Sequence, residues 1–125
     1  MNKVNIFEIE GMELPAGRRT RVVLGDNGAM KGDLFCQGYV VIYPDGGIPD
    51  HVHETVESYT ILEGEGEMTV DGETVRVKKG DCIFVEKNQR HALHNTGSAD
   101  MHMMFVYAPK IVVDHWAEEM SGELK

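Results

Sequence analysis

The chain has 125 residues and a formal net charge of −9, from 12 lysines and arginines against 21 acidic residues. Its composition, 42% hydrophobic and 26% charged, is ordinary for a globular protein and excludes a disordered or membrane-embedded chain. The length suits one domain, residues 1–125, that buries its own core. Because so acidic a surface repels phosphate backbones and anionic headgroups, we expect neither nucleic acid nor a membrane among the partners.

The N-terminal residues lack the apolar run of a signal peptide, and nothing later approaches the roughly 18 apolar residues of a membrane span. The two cysteines, Cys36 and Cys82, lie too far apart for a Cys-x-x-Cys motif. Both have apolar neighbours, which favours buried free thiols in a reducing compartment over a disulfide. These features predict a cytoplasmic protein.

Short runs of β-branched and aromatic residues, separated by Gly, Asp, Asn and Pro, follow one another along the chain and predict strands. In chain order the predicted strands are 4–9, 19–24, 34–43, 59–62, 66–70, 74–77, 82–85, 91–95 and 101–107. Asp71-Gly72 predicts a tight hairpin between two of them, because both central residues of such a turn need a positive φ.

Only the tail, residues 110–125, has a helical pattern. Asp114 is a candidate N-cap, and Gly122 would end a short helix. Many short strands followed by one small helix predict an all-β fold of the jelly-roll class. We place the barrel at about residues 19–108, with an additional N-terminal strand at 4–9.

Three side chains able to bind a metal, His51, His53 and Glu57, lie within seven residues. On a strand the two histidines share a face, because side chains alternate with a period of two. A straight strand would place Glu57 about 20 Å from His51, whereas ligand bonds to one ion are about 2 Å long. If all three bind one ion, the chain must turn between Glu54 and Val56. Otherwise the histidines are surface residues and Glu57 lies on a solvated turn.

The surrounding residues complete a recognisable pattern. Residues that match a first motif, His-x-His-x3-Glu-x6-Gly, are His51, His53, Glu57 and Gly64. Residues that match a second motif are Gly80, His91 and Asn95. With fifteen residues between the two motifs, the sequence resembles the cupin superfamily. It departs from the family at three turn positions, where Asp45 and Asn88 replace Gly and Glu86 replaces Pro.

The resemblance implies a double-stranded β-helix, the jelly-roll barrel of cupins, that binds one divalent transition metal. The implied ligands are His51, His53, Glu57 and His91. Three neutral imidazoles and one carboxylate suit Mn, Fe, Zn, Ni, Co or Cu and do not select among them. A six-coordinate ion would keep two positions open for water or a substrate.

Tyr59 and His102 are the candidate catalytic residues. Tyr59 shares the parity of Glu57 and would lie beside the metal, either contacting a substrate or filling the core. His102 lies in a strand that is apolar on both faces, where a satisfied core histidine is the alternative. We expect His115 to be exposed. Arg90, at the predicted barrel mouth, would meet a substrate carboxylate or remain a solvated loop charge.

Three functions are consistent with this sequence. The leading hypothesis is a metal-dependent enzyme acting on a small oxygen-rich molecule, a hydroxy acid, keto acid or sugar, by decarboxylase, lyase or isomerase chemistry. The alternatives are an iron-dependent dioxygenase and a non-catalytic cupin that binds a metal or small ligand. We also expect a homodimer, because open sheets have edges to cover, with residues 4–9 as the segment exchanged between subunits.

Overall fold

The computed structural model describes residues 1–109 and 114–125. In this part of the chain there are ten strands, one 3-10 helix and one α-helix. The strands are β1 Met12–Leu14, β2 Arg18–Leu24, β3 Cys36–Ile42, β4 Gly47–His51, β5 Val56–Glu63, β6 Glu65–Val70, β7 Glu73–Lys78, β8 Cys82–Val85, β9 His91–Asn95 and β10 Met101–Ala108. The 3-10 helix is Ile6–Glu8, and the α-helix, α1, is Asp114–Ser121. The side chain of Asp114, our candidate N-cap, lies outside the described part.

Two antiparallel sheets face each other. The larger has the order β1-β2-β3-β10-β5-β8, and the smaller has the order β4-β9-β6-β7. Non-sequential neighbours such as β3 and β10 are typical of a jelly roll, in which strands cross between the sheets. The structure confirms the predicted all-β jelly-roll fold with a short C-terminal helix.

The core lies between the sheets and follows the two-residue period of the strands. Along β10, buried residues alternate with half-buried ones from Met101 to Ala108. The buried set comprises Met101, Met103, Phe105 and Tyr107. The intervening side chains, including His102, therefore lie on the outer face of the larger sheet.

Three turns contain a non-glycine residue with a positive φ. Asp71 has φ 48° and Gly72 has φ 84° in the β6–β7 hairpin, which confirms the predicted turn. Asp45 and Asn88, which replace family glycines, both have φ 65°. Aspartate and asparagine adopt this conformation more readily than other non-glycine residues, so both turns form without the family's glycines.

The predicted strand at 4–9 is wrong, because this segment contains the 3-10 helix Ile6–Glu8 instead. The side chain of Asn5 accepts a hydrogen bond from the Phe7 amide at 2.9 Å, which stabilises the turn. The Phe7 ring lies edge-on to Tyr39, with centroids 5.9 Å apart, on the outer face of the larger sheet. Strand pairing begins only at Met12.

Two strands lie where the sequence predicts none. β1 starts before the predicted barrel boundary at residue 19, and β4 contains Pro49. Proline lacks the amide hydrogen that a central strand needs, which argues against a strand from sequence alone. β4 is an edge strand of the smaller sheet, where proline is tolerated, and it pairs with β9.

The two cysteines differ in environment. Cys36 is buried in the core, but Cys82 is exposed on β8, the outermost strand of the larger sheet, which corrects our expectation of two buried thiols. Burial and the nearby Glu57 raise the pKa of the Cys36 thiol to about 11. Both cysteines are free, as predicted.

Helix α1 packs on the barrel. Trp116 lies edge-on to Phe105, with ring centroids 6.1 Å apart. Glu119 forms a buried ion pair with Arg18 at the start of β2. No helix within the described residues has the length and apolar character of a membrane span.

Candidate metal centre

The predicted turn between the histidine pair and Glu57 is present. β4 ends at His51, the chain bends through residues 52–55, and β5 begins at Val56. This bend places Glu57 on the larger sheet, opposite the histidines. On the smaller sheet His51 lies directly beside His91, because the two residues are paired in the β4–β9 register.

The four implied ligands converge. One ligand atom from each of His51, His53, Glu57 and His91 lies within 4.8 Å of the others. The Glu57 Oε1 atom is 3.2 Å from His53 Nε2 and 3.1 Å from His91 Nε2. His51, Glu57 and His91 are buried, and the side chain of His53 is nearly so. Strand pairing thus assembles these side chains into one compact site.

Backbone carbonyls orient all three imidazoles. In each histidine the Nδ1 atom lies at hydrogen-bonding distance from the carbonyl oxygen of a residue two positions away. The pairs are His51 with Pro49 at 2.7 Å, His91 with Gln89 at 2.8 Å and His53 with Thr55 at 3.2 Å. A carbonyl only accepts hydrogen bonds, so Nδ1 donates and the Nε2 lone pairs are directed towards the centre.

The protonation states suit a cation. Burial, reinforced by the neighbouring His91, lowers the pKa of His51 to about 4, so its imidazole is neutral near pH 7. Burial alone would raise the pKa of Glu57, but its hydrogen bonds with His53 and His91 outweigh burial and lower it. The site therefore offers a carboxylate surrounded by imidazoles.

His51 Nε2 is buried and has no hydrogen-bond partner. An unsatisfied buried acceptor is costly, and a metal ion at the centre would satisfy it together with the other ligand atoms. The donor set of three nitrogens and one carboxylate oxygen fits a divalent transition metal. The residues therefore fit the metal that the sequence implies.

Two tyrosines lie next to Glu57. Tyr59 and Tyr107 are both buried, and burial together with the charge of Glu57 raises the pKa of each phenol well above its usual value. Both phenols therefore stay protonated and act as hydrogen-bond donors. Tyr59 lies inside the barrel beside the ligands, as its parity with Glu57 predicts.

His102 is not brought to this site. It lies on the outer face of β10, where its Nδ1 atom is 2.5 Å from the Tyr39 hydroxyl. His102, the second candidate catalytic residue, therefore lies on the opposite face of β10 from the ligand cluster. Both faces of β10 carry apolar residues, so the sequence did not reveal which parity faces inward.

His115 is a site residue that the sequence analysis missed. We expected it to be exposed, but it is 6% exposed and stacks on His51 with ring centroids 3.9 Å apart. Burial, followed by the proximity of His51, lowers the pKa of His115, so its ring is neutral. The sequence did contain an indication of this: His115 and Glu119 are four residues apart, which places them on the same face of the helix.

The other polar candidates lie outside the cluster. Arg90 is exposed and pairs with Asp50 at 2.7 Å. Asn95, the last residue of the second motif, is buried and donates hydrogen bonds to the carbonyls of Ile42 and Ala99, both at 2.9 Å. The role of Asn95 is therefore structural.

A small cavity of about 10 Å³ remains inside the barrel beside the ligands. Polar side chains that line it are Arg18, Thr20, Glu57, Tyr59, Tyr107 and His115. Trp116 and His115 of α1 form one wall. The helix thus covers the interior next to the cluster.

A jelly-roll barrel that holds three histidines and one glutamate in this arrangement defines a class of metal-binding β-barrel proteins. The family model for the cupin domain matches residues 38–107 of this chain, which is more than half of its length. The chain belongs to the cupin family.

Relatives with assigned names differ in function. The tetracenomycin polyketide synthase protein TcmJ of Streptomyces glaucescens is 30% identical over 96 residues, covering 74% of this chain and 62% of that protein. The 5-nitrosalicylic acid 1,2-dioxygenase of Bradyrhizobium sp is 35% identical over 74 residues, covering 59% of this chain and 35% of that protein. This chain therefore matches less than two thirds of the length of either relative.

Solved structures share the fold. A Thermotoga maritima protein, called a predicted oxalate decarboxylase, superimposes with a TM-score of 0.76 at 24% identity. The match covers 86% of this chain and 99% of that one. At this identity the similarity demonstrates the shared fold alone.

Proposed function

We propose that this cupin is a metal-dependent enzyme that acts on a small oxygen-rich molecule, a hydroxy acid, keto acid or sugar, by decarboxylase, lyase or isomerase chemistry. The observation that carries the proposal is the buried His51 Nε2 atom, which has no hydrogen-bond partner and belongs to a convergent set of ligand atoms. A site built only for stability would not leave this atom unsatisfied.

Metal binding and substrate binding are assigned to different residues in this proposal. His51, His53, Glu57 and His91 would hold one divalent transition ion, which when bound would supply Lewis-acid chemistry towards a substrate oxygen. The backbone carbonyls at Nδ1 keep the imidazoles oriented. Tyr59 is the proposed catalytic residue: its protonated phenol donates a hydrogen bond to a substrate oxygen that becomes negatively charged.

The residues around the small cavity suit a polar substrate. Thr20, Tyr59 and Tyr107 line it beside the ligands, so a molecule with several oxygens would find hydroxyl partners there once the cavity widens. The similarity to a polyketide synthase protein agrees, because polyketides carry many carbonyl and hydroxyl groups.

Metal analysis tests this proposal. The protein is purified without added metal, its bound metal is quantified by mass spectrometry, and the His51→Ala and His91→Ala variants are measured in parallel. We expect about one divalent ion per site in the parent and a large loss in both variants. Folded variants that keep the parent's metal content would refute the four-ligand site.

An iron-dependent dioxygenase is the second candidate, favoured by the similarity to a 1,2-dioxygenase that acts on a hydroxylated aromatic acid. Bound iron together with substrate-dependent O2 consumption would support it. Manganese, zinc, nickel, cobalt or copper without O2 consumption would favour the leading proposal. A metal-loaded protein without turnover of any acid or sugar tested would indicate a non-catalytic binding protein.

We also propose a homodimer in the cytoplasm. The outer face of the larger sheet exposes Phe84 and Leu62, with the half-buried Met104 and Val106 on the same face. Apolar side chains exposed on one sheet face favour a protein partner, and a second copy of the chain is the simplest one. The free cysteines are consistent with a reducing compartment.

A further inference from the structure

Arg18 places a positive charge inside the barrel. Its side chain is 1% exposed, and its guanidinium forms two parallel hydrogen bonds with the carboxylate of Glu119, at 2.8 and 2.9 Å. It also donates to the carbonyl oxygen of Gly47 at 3.0 Å. Glu119 belongs to α1, whereas Arg18 belongs to β2, so the pair joins the helix to the barrel.

Stability alone is a weak reason for a buried ion pair. Burying two charges costs about as much free energy as their attraction returns, and well-packed apolar residues of similar volume often stabilise a fold as well. Trp116 already covers the neighbouring surface against Phe105. A buried guanidinium in the same cavity as Glu57 and Tyr59 therefore calls for another explanation.

A second polar group in the cavity lacks a partner. Thr20 lies two residues beyond Arg18 on the same face of β2, and its hydroxyl is buried without a hydrogen bond. Buried hydroxyls are normally satisfied, so this one marks a position where a polar ligand atom would fit. The guanidinium of Arg18 and the hydroxyl of Thr20 could therefore donate hydrogen bonds to the same ligand.

The space beside them is too small for any organic substrate. A cavity of about 10 Å³ holds at most one water molecule. A substrate that enters this cavity requires α1, whose His115 and Trp116 form one wall, to move away from the barrel. That movement takes the Glu119 carboxylate away from Arg18, and a ligand with its own carboxylate replaces both of the lost hydrogen bonds.

We propose that Arg18 binds the carboxylate of the substrate. While no substrate is present, the carboxylate of Glu119 accepts the same hydrogen bonds from Arg18 in its place. The inference rests on the proposed function, whose metal site lies beside Arg18, and it narrows the substrate class to acids. A neutral sugar would leave the guanidinium buried without its counter-charge. Thr20 would donate a hydrogen bond to the same carboxylate or to a neighbouring oxygen of the acid.

The test uses metal-free protein, so that binding through the metal does not contribute. Acetate and its neutral isostere acetamide are titrated at constant ionic strength, and binding is followed by NMR chemical shifts. We compare the parent with Glu119→Ala and with Glu119→Gln, which keeps the side-chain volume if alanine prevents folding. Glu118→Ala is the matched control, since Glu118 is exposed on the same helix.

We expect both Glu119 variants to bind acetate roughly tenfold more tightly than the parent, because the internal competitor is removed by alanine and loses its charge with glutamine. Glu118→Ala should bind like the parent, acetamide should bind to none of them, and Arg18→Gln/Glu119→Gln should lose acetate binding. The proposal is overturned if folded Glu119 variants gain no affinity, if acetate and acetamide behave alike, or if the double variant still binds acetate.

The two proposals fail separately. A parent that binds no metal but whose Glu119 variants gain acetate affinity would refute the metal-dependent function and keep the role of Arg18. A metal-binding parent whose Glu119 variants gain none would refute the role of Arg18 alone.

Discussion

His115 of the C-terminal helix stacks on His51 of the ligand cluster, with ring centroids 3.9 Å apart and ring planes 22° apart. The helix therefore reaches the proposed metal site, although it belongs to neither sheet. Its second anchor is the Arg18–Glu119 ion pair. The proposed metal site, the cavity and the helix therefore form one structural unit.

Metal binding should stabilise the fold. Adding zinc to metal-free protein at about 1,000 times its dissociation constant should raise the free energy of unfolding by about 4 kcal/mol, because the ligands converge only in the folded state. Thermal unfolding with and without zinc measures this. His51→Ala should show a much smaller shift, whereas His94→Ala, at an exposed position, should respond like the parent. Equal shifts in the parent and His51→Ala would contradict the assignment.

Breaking the buried ion pair should destabilise the protein more than replacing it. Arg18→Met leaves the Glu119 carboxylate buried and should cost about 3–5 kcal/mol, whereas Arg18→Met/Glu119→Met should recover most of that loss. Urea unfolding of the parent, both single variants and the double variant measures the coupling. Additive losses would show that the two side chains do not interact.

Thiol reactivity should distinguish the two cysteines. Cys36 is buried and its pKa is raised to about 11, so near pH 8 it remains a protonated, inaccessible thiol. Iodoacetamide should therefore modify only the exposed Cys82 in native protein and both cysteines after unfolding. Mass spectrometry counts the adducts. Cys82→Ser should carry none under native conditions, and a native adduct on Cys36 would contradict its burial.

The proposed dimer should depend on the outer face of the larger sheet. Phe84 is 61% exposed on β8, and Phe84→Glu introduces a charge there that a dimer interface would have to bury. Sedimentation velocity at micromolar concentration should show a dimer for the parent and a monomer for this variant. Val75→Glu, an exposed apolar position on the smaller sheet, is the matched control and should remain dimeric. A monomeric parent would rule out the dimer.

Several features were predictable because short segments of the chain encode them. Asp71-Gly72 forms its hairpin because the two residues accept a positive φ, whatever surrounds them. The bend before Glu57 follows from the reach of one metal ion, and the structure has it at residues 52–55. Strand β4, which contains Pro49, was not predicted, because a proline is tolerated in a strand only where that strand lies at a sheet edge.

The sequence by itself predicted the all-β class, because strand periodicity and turn chemistry are local properties. Its resemblance to cupins implied the candidate ligands His51, His53, Glu57 and His91. Only the tertiary structure decided the neighbours of that site. The parity of β10, which turns His102 outward, and the docking of α1, which buries its polar face, depend on distant partners. The local sequence of a strand that is apolar on both faces does not show which face is buried, so packing between the sheets decides it. The local sequence of a short helix does not show where it docks, and here the buried Arg18–Glu119 ion pair holds it.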